Sequence, residues 1–221
     1  MGRVRHIIWD WNGTLLDDTP LTVKAATVSL AAINHPVRLT VDQWREVATR
    51  PVTRTYETLC GAPLDEAQFR ILNQSWLSTY CSGEAEVGLN PTAVAALELA
   101  RSAGVTQSIL SLYLEPQLRA RVTQLGVADH FTDIWGTRDG WKNLQATKAD
   151  RMLAQLAAVG VSPDEALVIG DMVDDGDEAV SIGASATLVS TGDTSHQRLA
   201  ASGFPVASTL VAAVRPALLT N

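Results

Sequence analysis

RHIIWDWNGTLLDD, residues 5–18, is the stretch on which the fold turns. Its apolar run, His6 to Trp9 with Val4 before it, is too short for an independent helix and ends at Asp10, ahead of a turn marked by Asn12-Gly13. The pattern predicts a short strand that delivers a carboxylate to its own C-terminal edge. In open α/β sheets that edge is where ligands bind, because loops diverge there and helix N-termini point their N–H groups at the crevice.

Downstream the pattern is helical as far as about residue 83. Thr19-Pro20 predicts a cap and a first-turn proline for a helix that ends near Asn34. Thr40 with Gln43 predicts a capping box for a second helix, stopped at Arg50 by Pro51, and a short third helix follows at Thr53 to Leu59. After the breaker Gly61-Ala62-Pro63, Asp65 with Gln68 opens a longer helix carrying Phe69, Leu72, Trp76 and Tyr80.

At Asn90-Pro91 the pattern changes to alternation. Helices are predicted at 91–103, 116–125, 148–159, between Asp171 and Gly183, and at about 194–202 and 209–219. Between them lie short apolar strands at Val105 to Leu110, Phe131 to Trp135, Ala166 to Ile169 and Ala186 to Val189. Strands of four to six residues separated by helices imply a parallel sheet covered on both faces. The expected fold is α/β: a doubly wound parallel sheet built from residues 1–18 and 84–221, with an all-helical cap domain at 19–83 inserted after the first strand.

The 221 residues are 46% hydrophobic, enough for a sizeable core, and Lys+Arg 17 against Asp+Glu 24 gives a net charge of −7. That balance argues against nucleic acid or a membrane surface as partner. Cys60 and Cys81 lie far apart with no CxxC, the usage expected of reduced thiols in a cytoplasmic protein. No run approaches the roughly 20 apolar residues needed to span a bilayer.

A second acidic edge resembles the first. Ala166 to Ile169 runs into GDMVDD, which carries Asp171 and Asp175, while Asp174 and Asp177 of the same region read as solvated. If both strands are central and parallel, Asp10, Asp171 and Asp175 converge, and their mutual repulsion calls for a cation among them. A hard divalent ion, most simply Mg²⁺, fits such oxygen ligands and would draw in a phosphate. Ser111, after the strand at 105–110, is placed to donate to that phosphate. Lys148, at a helix start, is preferred over Lys142 as the point charge beside it. In the helical insertion, Arg45, Arg50 and Arg54 straddle Pro51, where one or two of them would read an anionic substrate tail. Trp11 would shape the crevice wall, and His196 would approach the site from a late loop.

These motifs resemble the haloacid dehalogenase-like hydrolase superfamily, in the subgroup with a helical cap after the first strand, the phosphoglycolate phosphatase-like group. DWNGTLLDD matches the first motif, Ser111 the second, Lys148 the third and GDMVDD the fourth, so the likeness spans nearly the whole chain. The resemblance implies a phosphatase of a small phosphorylated metabolite. In it Asp10 attacks phosphorus to form an aspartyl-phosphate, and Mg²⁺ is held by Asp10, the main-chain carbonyl of Asn12, Asp171 and Asp175. It also implies that Gly13, Thr14, Ser111 and Lys148 hold the phosphoryl group and that Arg50 and Arg54 contact the substrate.

One position departs from the pattern. Phosphatases of this kind usually carry Asp two residues after the nucleophile, to protonate the leaving oxygen and then activate water; here the residue is Asn12. An amide cannot shuttle that proton, so the expectation is slow turnover of ordinary esters, with Asp17 and Asp18 the nearest substitutes. Rival readings are a non-catalytic binding protein on the same fold, a 2-haloacid dehalogenase and a phosphonate hydrolase.

Overall fold

A computed structural model describes residues 3–138 and 148–218. The chain opens with strand β1 (His6–Trp9), followed by four helices: α1 (Thr19–Ala32), α2 (Val41–Val47), α3 (Val52–Cys60) and α4 (Glu66–Gly83). Helix α5 (Ala93–Ser102) leads into β2 (Thr106–Leu114), α6 (Glu115–Gln124) and β3 (Asp133–Thr137). Then come α7 (Ala149–Val159), β4 (Ala166–Gly170), α8 (Val173–Ser181), β5 (Ser185–Val189), α9 (His196–Ala201), β6 (Val206–Ala207) and α10 (Leu210–Leu218).

All six strands are parallel, in the order β3-β2-β1-β4-β5-β6. β1 and β4 are buried throughout, as strands covered on both faces must be. The pleat of β1 feeds two layers. Ile7 and Trp9 join the core under α5, α6 and α10 through Leu97, Leu118 and Val214, whereas Ile8 joins Met152, Leu156 and Ala179 under α7 and α8. The direction of strand succession reverses between β1 and β4, and a crevice opens at such a switch point.

The four inserted helices have an apolar cluster of their own, with Leu30, Trp44, Tyr56 and Leu72 at its centre. Helix α1 serves both bodies: Val23, Ala26 and Leu30 pack into that cluster, while Leu21 and Ala25 pack into the core of the sheet. A helix with two buried faces shows only a loose helical period in its sequence.

Both expected capping boxes form, at Thr40 with Gln43 and at Asp65 with Gln68. Three expectations are corrected. The N-cap of α1 is Asp18, not Thr19, and it makes no side-chain cap bond because its carboxylate turns back toward residues 12 and 13. β2 runs on to Leu114, four residues past the apolar run that predicted it. The two-residue β6 escaped the sequence reading because a strand that short carries no periodicity. Cys60 is half-buried and Cys81 exposed, and both are free thiols. Among the described residues no helix is long and apolar enough to cross a membrane.

His6 is fully buried in β1, its Nδ1 and Nε2 lying 2.7 Å and 2.8 Å from Thr106 Oγ1 and Ser108 Oγ of the neighbouring strand. Burial lowers its pKa from 6.5 to about 4. The unfolded chain therefore takes up a proton below pH 6.5 that the folded chain refuses. This group's share of stability is intact above pH 6.5 and is lost as the pH falls toward 4, to a total of about 3 kcal/mol. Denaturant titrations between pH 7 and 4 should show that slope in the wild type and not in His6→Asn; parallel curves would refute the assignment.

Candidate active site

The site is set by register. β1 pairs Trp9 with Ile109 of β2 on one side and with Ile169 of β4 on the other. Asp10 lies one residue beyond the last pair on β1, and Ser111 and Asp171 lie two beyond on the flanking strands. Three chemical groups thus emerge at one edge of the switch point. Asp10 N–H still donates to Ile169 O at 2.9 Å, so the nucleophile candidate is held by the sheet itself.

Asp10, Asp171 and Asp175 are all buried, and one carboxylate oxygen from each lies within 4.8 Å of the others. Like charges at that separation repel by roughly 3 kcal/mol per pair at an effective dielectric constant of about 20. Lys148, the N-cap residue of α7, answers part of it: its Nζ donates to Asp10 Oδ1 at 2.6 Å and to Asp175 Oδ1 at 2.7 Å. Burial works against this ammonium, yet the two carboxylates outweigh burial and hold its pKa above the ordinary value. Asp175 is pulled down against burial by Lys148 and then Arg50. Asp10 stays raised, because burial exceeds the help from Lys148.

Asp171 is the acid of the three that no cation hydrogen-bonds among the described residues. Burial, followed by the charges of Asp193, Asp10 and Asp175, pushes its pKa well above the usual carboxylate range. Among the described residues its donors are neutral, Thr14 Oγ1 at 3.2 Å and the N–H of Asp193 at 2.6 Å. Two glycines give it room: a Cβ on Gly13, whose φ is +74°, would stand 2.5 Å from Asp171 Oδ2, and one on Gly192 would overlap the same oxygen. Asp193 and Gly192, in the loop after β5, were not singled out from the sequence, since nothing in their local pattern points across the crevice.

Asn12 is pinned on its amide side. Its Nδ2 donates to Asp18 Oδ2 at 2.7 Å and to the Tyr80 hydroxyl at 2.8 Å, and that hydroxyl donates to the same Asp18 oxygen at 2.5 Å. Asp18 Oδ1 takes the Gly13 N–H at 2.6 Å. Burial, and then the charge of Asp193, raises the Asp18 carboxyl to about 7, against the pull of these hydrogen bonds. Tyr80, stacked on Trp76 with ring centroids 4.5 Å apart, is a further residue whose part in the site was missed, since the sequence placed it only on a helix of the insertion. The Ser111 hydroxyl lies 3.5 Å from Asn12 Oδ1 and accepts from Tyr113 N at 3.0 Å, so its proton is held weakly.

Several expected contacts are otherwise engaged. Gly13 N–H is spent on Asp18, and Thr14 gives its N–H to Trp11 O and its hydroxyl to Asp171, so both brace the acids rather than face a ligand. Arg45 donates to the carbonyls of Gly192 and Thr191 at 2.8 Å and 3.0 Å, fastening α2 to the loop after β5. Arg54 is exposed, whereas Arg50 lies within the field of Asp175, Asp10, Asp171 and Asp174 and its Nε is buried with no hydrogen-bond partner among the described residues. Asp174 is half-buried and accepts from Arg50 N at 3.3 Å, so it is not the solvated acid expected; Asp177 is exposed, and so is Asp17. Trp11 lies wholly in the core of the sheet, not on the crevice wall, and His196 is exposed at the start of α9. Lys142, the alternative to Lys148, falls outside the described residues.

Beside Asn12 and Ser111 opens a cavity of about 180 Å³ between the sheet edge and the inserted helices. A search of protein families matches residues 4–183 to the haloacid dehalogenase-like hydrolases. The chain belongs to that family. This hydrolase is 29% identical over 194 residues to a phosphoglycolate phosphatase of Caulobacter vibrioides, an alignment covering 85% of this chain and 80% of the relative. Its fold matches that of a predicted phosphatase from Clostridium acetobutylicum with a TM-score of 0.79 at 18% identity, over 94% of this chain and 95% of the other. A predicted phosphoglycolate phosphatase from Haemophilus somnus gives 0.74 at 18% identity, with 96% of each chain covered.

Proposed function

We propose that this hydrolase is a Mg²⁺-dependent phosphatase of a small phosphorylated metabolite, acting through an aspartyl-phosphate on Asp10, with residues 19–83 as a cap over the core formed by 1–18 and 84–221. The observation that carries the reading is the single ammonium of Lys148 bridging Asp10 and Asp175 while Asp171, just as close, takes no hydrogen bond from a cation among the described residues and shares the more distant Arg50 with three other acids. That surplus of buried negative charge and an all-oxygen donor set fit a hard divalent ion. Asp10, the Asn12 carbonyl, Asp171 and, directly or through water, Asp175 would hold it, and when bound it supplies positive charge to the phosphoryl oxygens. The same surplus argues against 2-haloacid chemistry, which needs no metal. Lys24, the only lysine of the insertion, is exposed, which argues against a phosphonate hydrolase needing a Schiff-base lysine there.

The protein's own groups account for the remaining roles. Asp10, oriented by Lys148 and by its own N–H on the sheet, attacks phosphorus as the bond to the leaving oxygen breaks. Lys148 and the weakly held proton of Ser111 stabilise the charge that builds on the phosphoryl oxygens. Water then cleaves the aspartyl-phosphate and releases phosphate. Asn12 cannot protonate the leaving oxygen, so esters with poor leaving groups turn over slowly and acyl phosphates suffer less. Net charge −7 and two unpaired cysteines suit a small-molecule enzyme of the cytoplasm rather than a partner of nucleic acid or membrane.

The test is release of phosphate from acetyl phosphate and a panel of esters. Chelation with EDTA should lower the rate at least ~10-fold and added Mg²⁺ should restore it. A rate indifferent to EDTA would overturn the metal, and binding of phosphate analogues with no turnover of any substrate would favour the non-catalytic reading.

A further inference from the structure

We infer that the leaving group of the substrate is an apolar aromatic alcohol, so that the enzyme prefers aryl phosphate monoesters to small carboxylated or sugar phosphates. The inference rests on the phosphatase reading above and specifies its substrate class. Two independent features of the structure lead to it, one in the shape and charge of the cavity and one in the proton chemistry at Asn12.

The cavity beside Ser111 and Asn12 is where the part of the substrate beyond its phosphorus must sit, because those two residues line both the cavity and the reaction centre. Its walls are largely aromatic and aliphatic, with Trp44, Tyr56, Phe69 and Trp76 from the inserted helices and Tyr113 from β2. Among the described residues only Arg50 and Asp193 bring formal charge to it. Arg50 already faces four carboxylates, and Asp193 would repel an anion. The other cations of the insertion are elsewhere: Arg45 is spent on two carbonyls, while Lys24, Arg38, Arg54 and Arg70 are exposed and line no part of the cavity. A carboxylate in this space would give up water for walls made mostly of rings and aliphatic side chains, against the charge of Asp193 and with an Arg50 already shared among four carboxylates, whereas an aromatic ring gains from the same surroundings.

The second feature is the amide at position 12. An alkoxide must be protonated as it leaves; a phenolate, with a pKa of about 10 like that of the tyrosine side chain, departs with much less assistance. With Asn12 Nδ2 tied to Asp18 and Tyr80, no proton is offered from that position, and the only leaving groups that lose little are those that need none. An aromatic cavity and a missing proton donor would be unrelated oddities for an alkyl phosphate, and they are both explained by an aryl one. In the balanced step, the Asp10 oxygen bonds to phosphorus, the P–O(aryl) bond breaks with its electron pair on the phenolate, and solvent protonates that product afterwards.

The test compares kcat/KM for 2-naphthyl phosphate, phenyl phosphate, cyclohexyl phosphate, phosphoglycolate and acetyl phosphate in Mg²⁺, with wild type, Phe69→Ala and Leu77→Lys. Wild type should favour 2-naphthyl phosphate over phosphoglycolate by at least ~100-fold, and over phenyl phosphate through a lower KM. Phe69→Ala should raise KM for 2-naphthyl phosphate ~10-fold, a larger loss than for acetyl phosphate, which has no ring to bury. Leu77→Lys, which places an ammonium in the cavity wall, should lose naphthyl activity and gain on phosphoglycolate; it covers the case in which Phe69→Ala is misfolded. Turnover of acetyl phosphate with phosphoglycolate equal to or better than 2-naphthyl phosphate would overturn the inference and leave the phosphatase reading standing. No phosphate release from any of the five would overturn both.

Discussion

An Asp10→Asn protein is expected to release phosphate roughly 10⁴- to 10⁶-fold more slowly than wild type, the loss typical of removing a covalent nucleophile. The substitution changes almost nothing else. The amide fills the same buried space, its oxygen can still accept from Lys148, and the main-chain N–H stays on Ile169 O. Stability should hold or rise. Burial raises the Asp10 pKa in the folded chain, which means that folding disfavours its charge, so a neutral side chain removes a cost rather than a support. Lys148 keeps Asp175 as partner. The diagnostic pair is therefore a dead enzyme with an undiminished melting temperature. Activity within ten-fold of wild type, measured on acetyl phosphate to avoid any leaving-group effect, would remove Asp10 from the chemistry and with it the aspartyl-phosphate.

Much of this arrangement was legible in the sequence because the signals involved are local. A strand buried on both faces is a continuous apolar run, so HIIW and ALVI announced the two central strands, and the acid that ends each run lands at the sheet edge by construction. Proline and glycine marked the helix boundaries of the insertion for equally local reasons, and the capping boxes at Thr40 and Asp65 formed where their spacing said they would. What failed to show was anything set by contacts between distant segments. Asp18 could not be told from Asp17 as a substitute for the missing acid, and only the fold brings Tyr80 of α4 to it, 62 positions further on. Asp193 supplies the N–H that holds Asp171, yet its neighbours Thr191 and Gly192 read as an ordinary loop. Arg45, Arg50 and Arg54 were indistinguishable as sequence, since which of three arginines around Pro51 turns inward depends on how α2 and α3 are anchored on the core. The structure sorts them: Arg45 fastens, Arg50 faces the acids and Arg54 faces solvent.

The amide at position 12 leads to the opposite kind of result, a gain. Asn12→Asp is expected to speed hydrolysis of alkyl phosphates about 10²- to 10⁴-fold, the usual worth of general acid–base catalysis, while changing acetyl phosphate little because its leaving group needs no proton. The surroundings explain why the change should yield a functioning acid. The Asn12 Nδ2 position is 2.7 Å from Asp18 Oδ2, so the new carboxyl would face another carboxyl at hydrogen-bond distance. Two carboxylates cannot both ionise at that separation, and the pair retains one proton into the neutral range. Asp18 alone already reaches about 7 through burial and the charge of Asp193. The shared proton therefore sits beside the leaving oxygen at working pH, with the Tyr80 hydroxyl within reach of both carboxyls to fix their orientation. The rate on alkyl phosphates should fall as the pH is raised far enough to strip that proton. Wild type, which lacks the pair, should show no matching limb. The deciding comparison is the ratio of cyclohexyl phosphate to acetyl phosphate turnover in the two proteins. A ratio unchanged by the substitution would mean that proton delivery at position 12 does not limit this enzyme, and the slow-ester expectation drawn from Asn12 would fall with it.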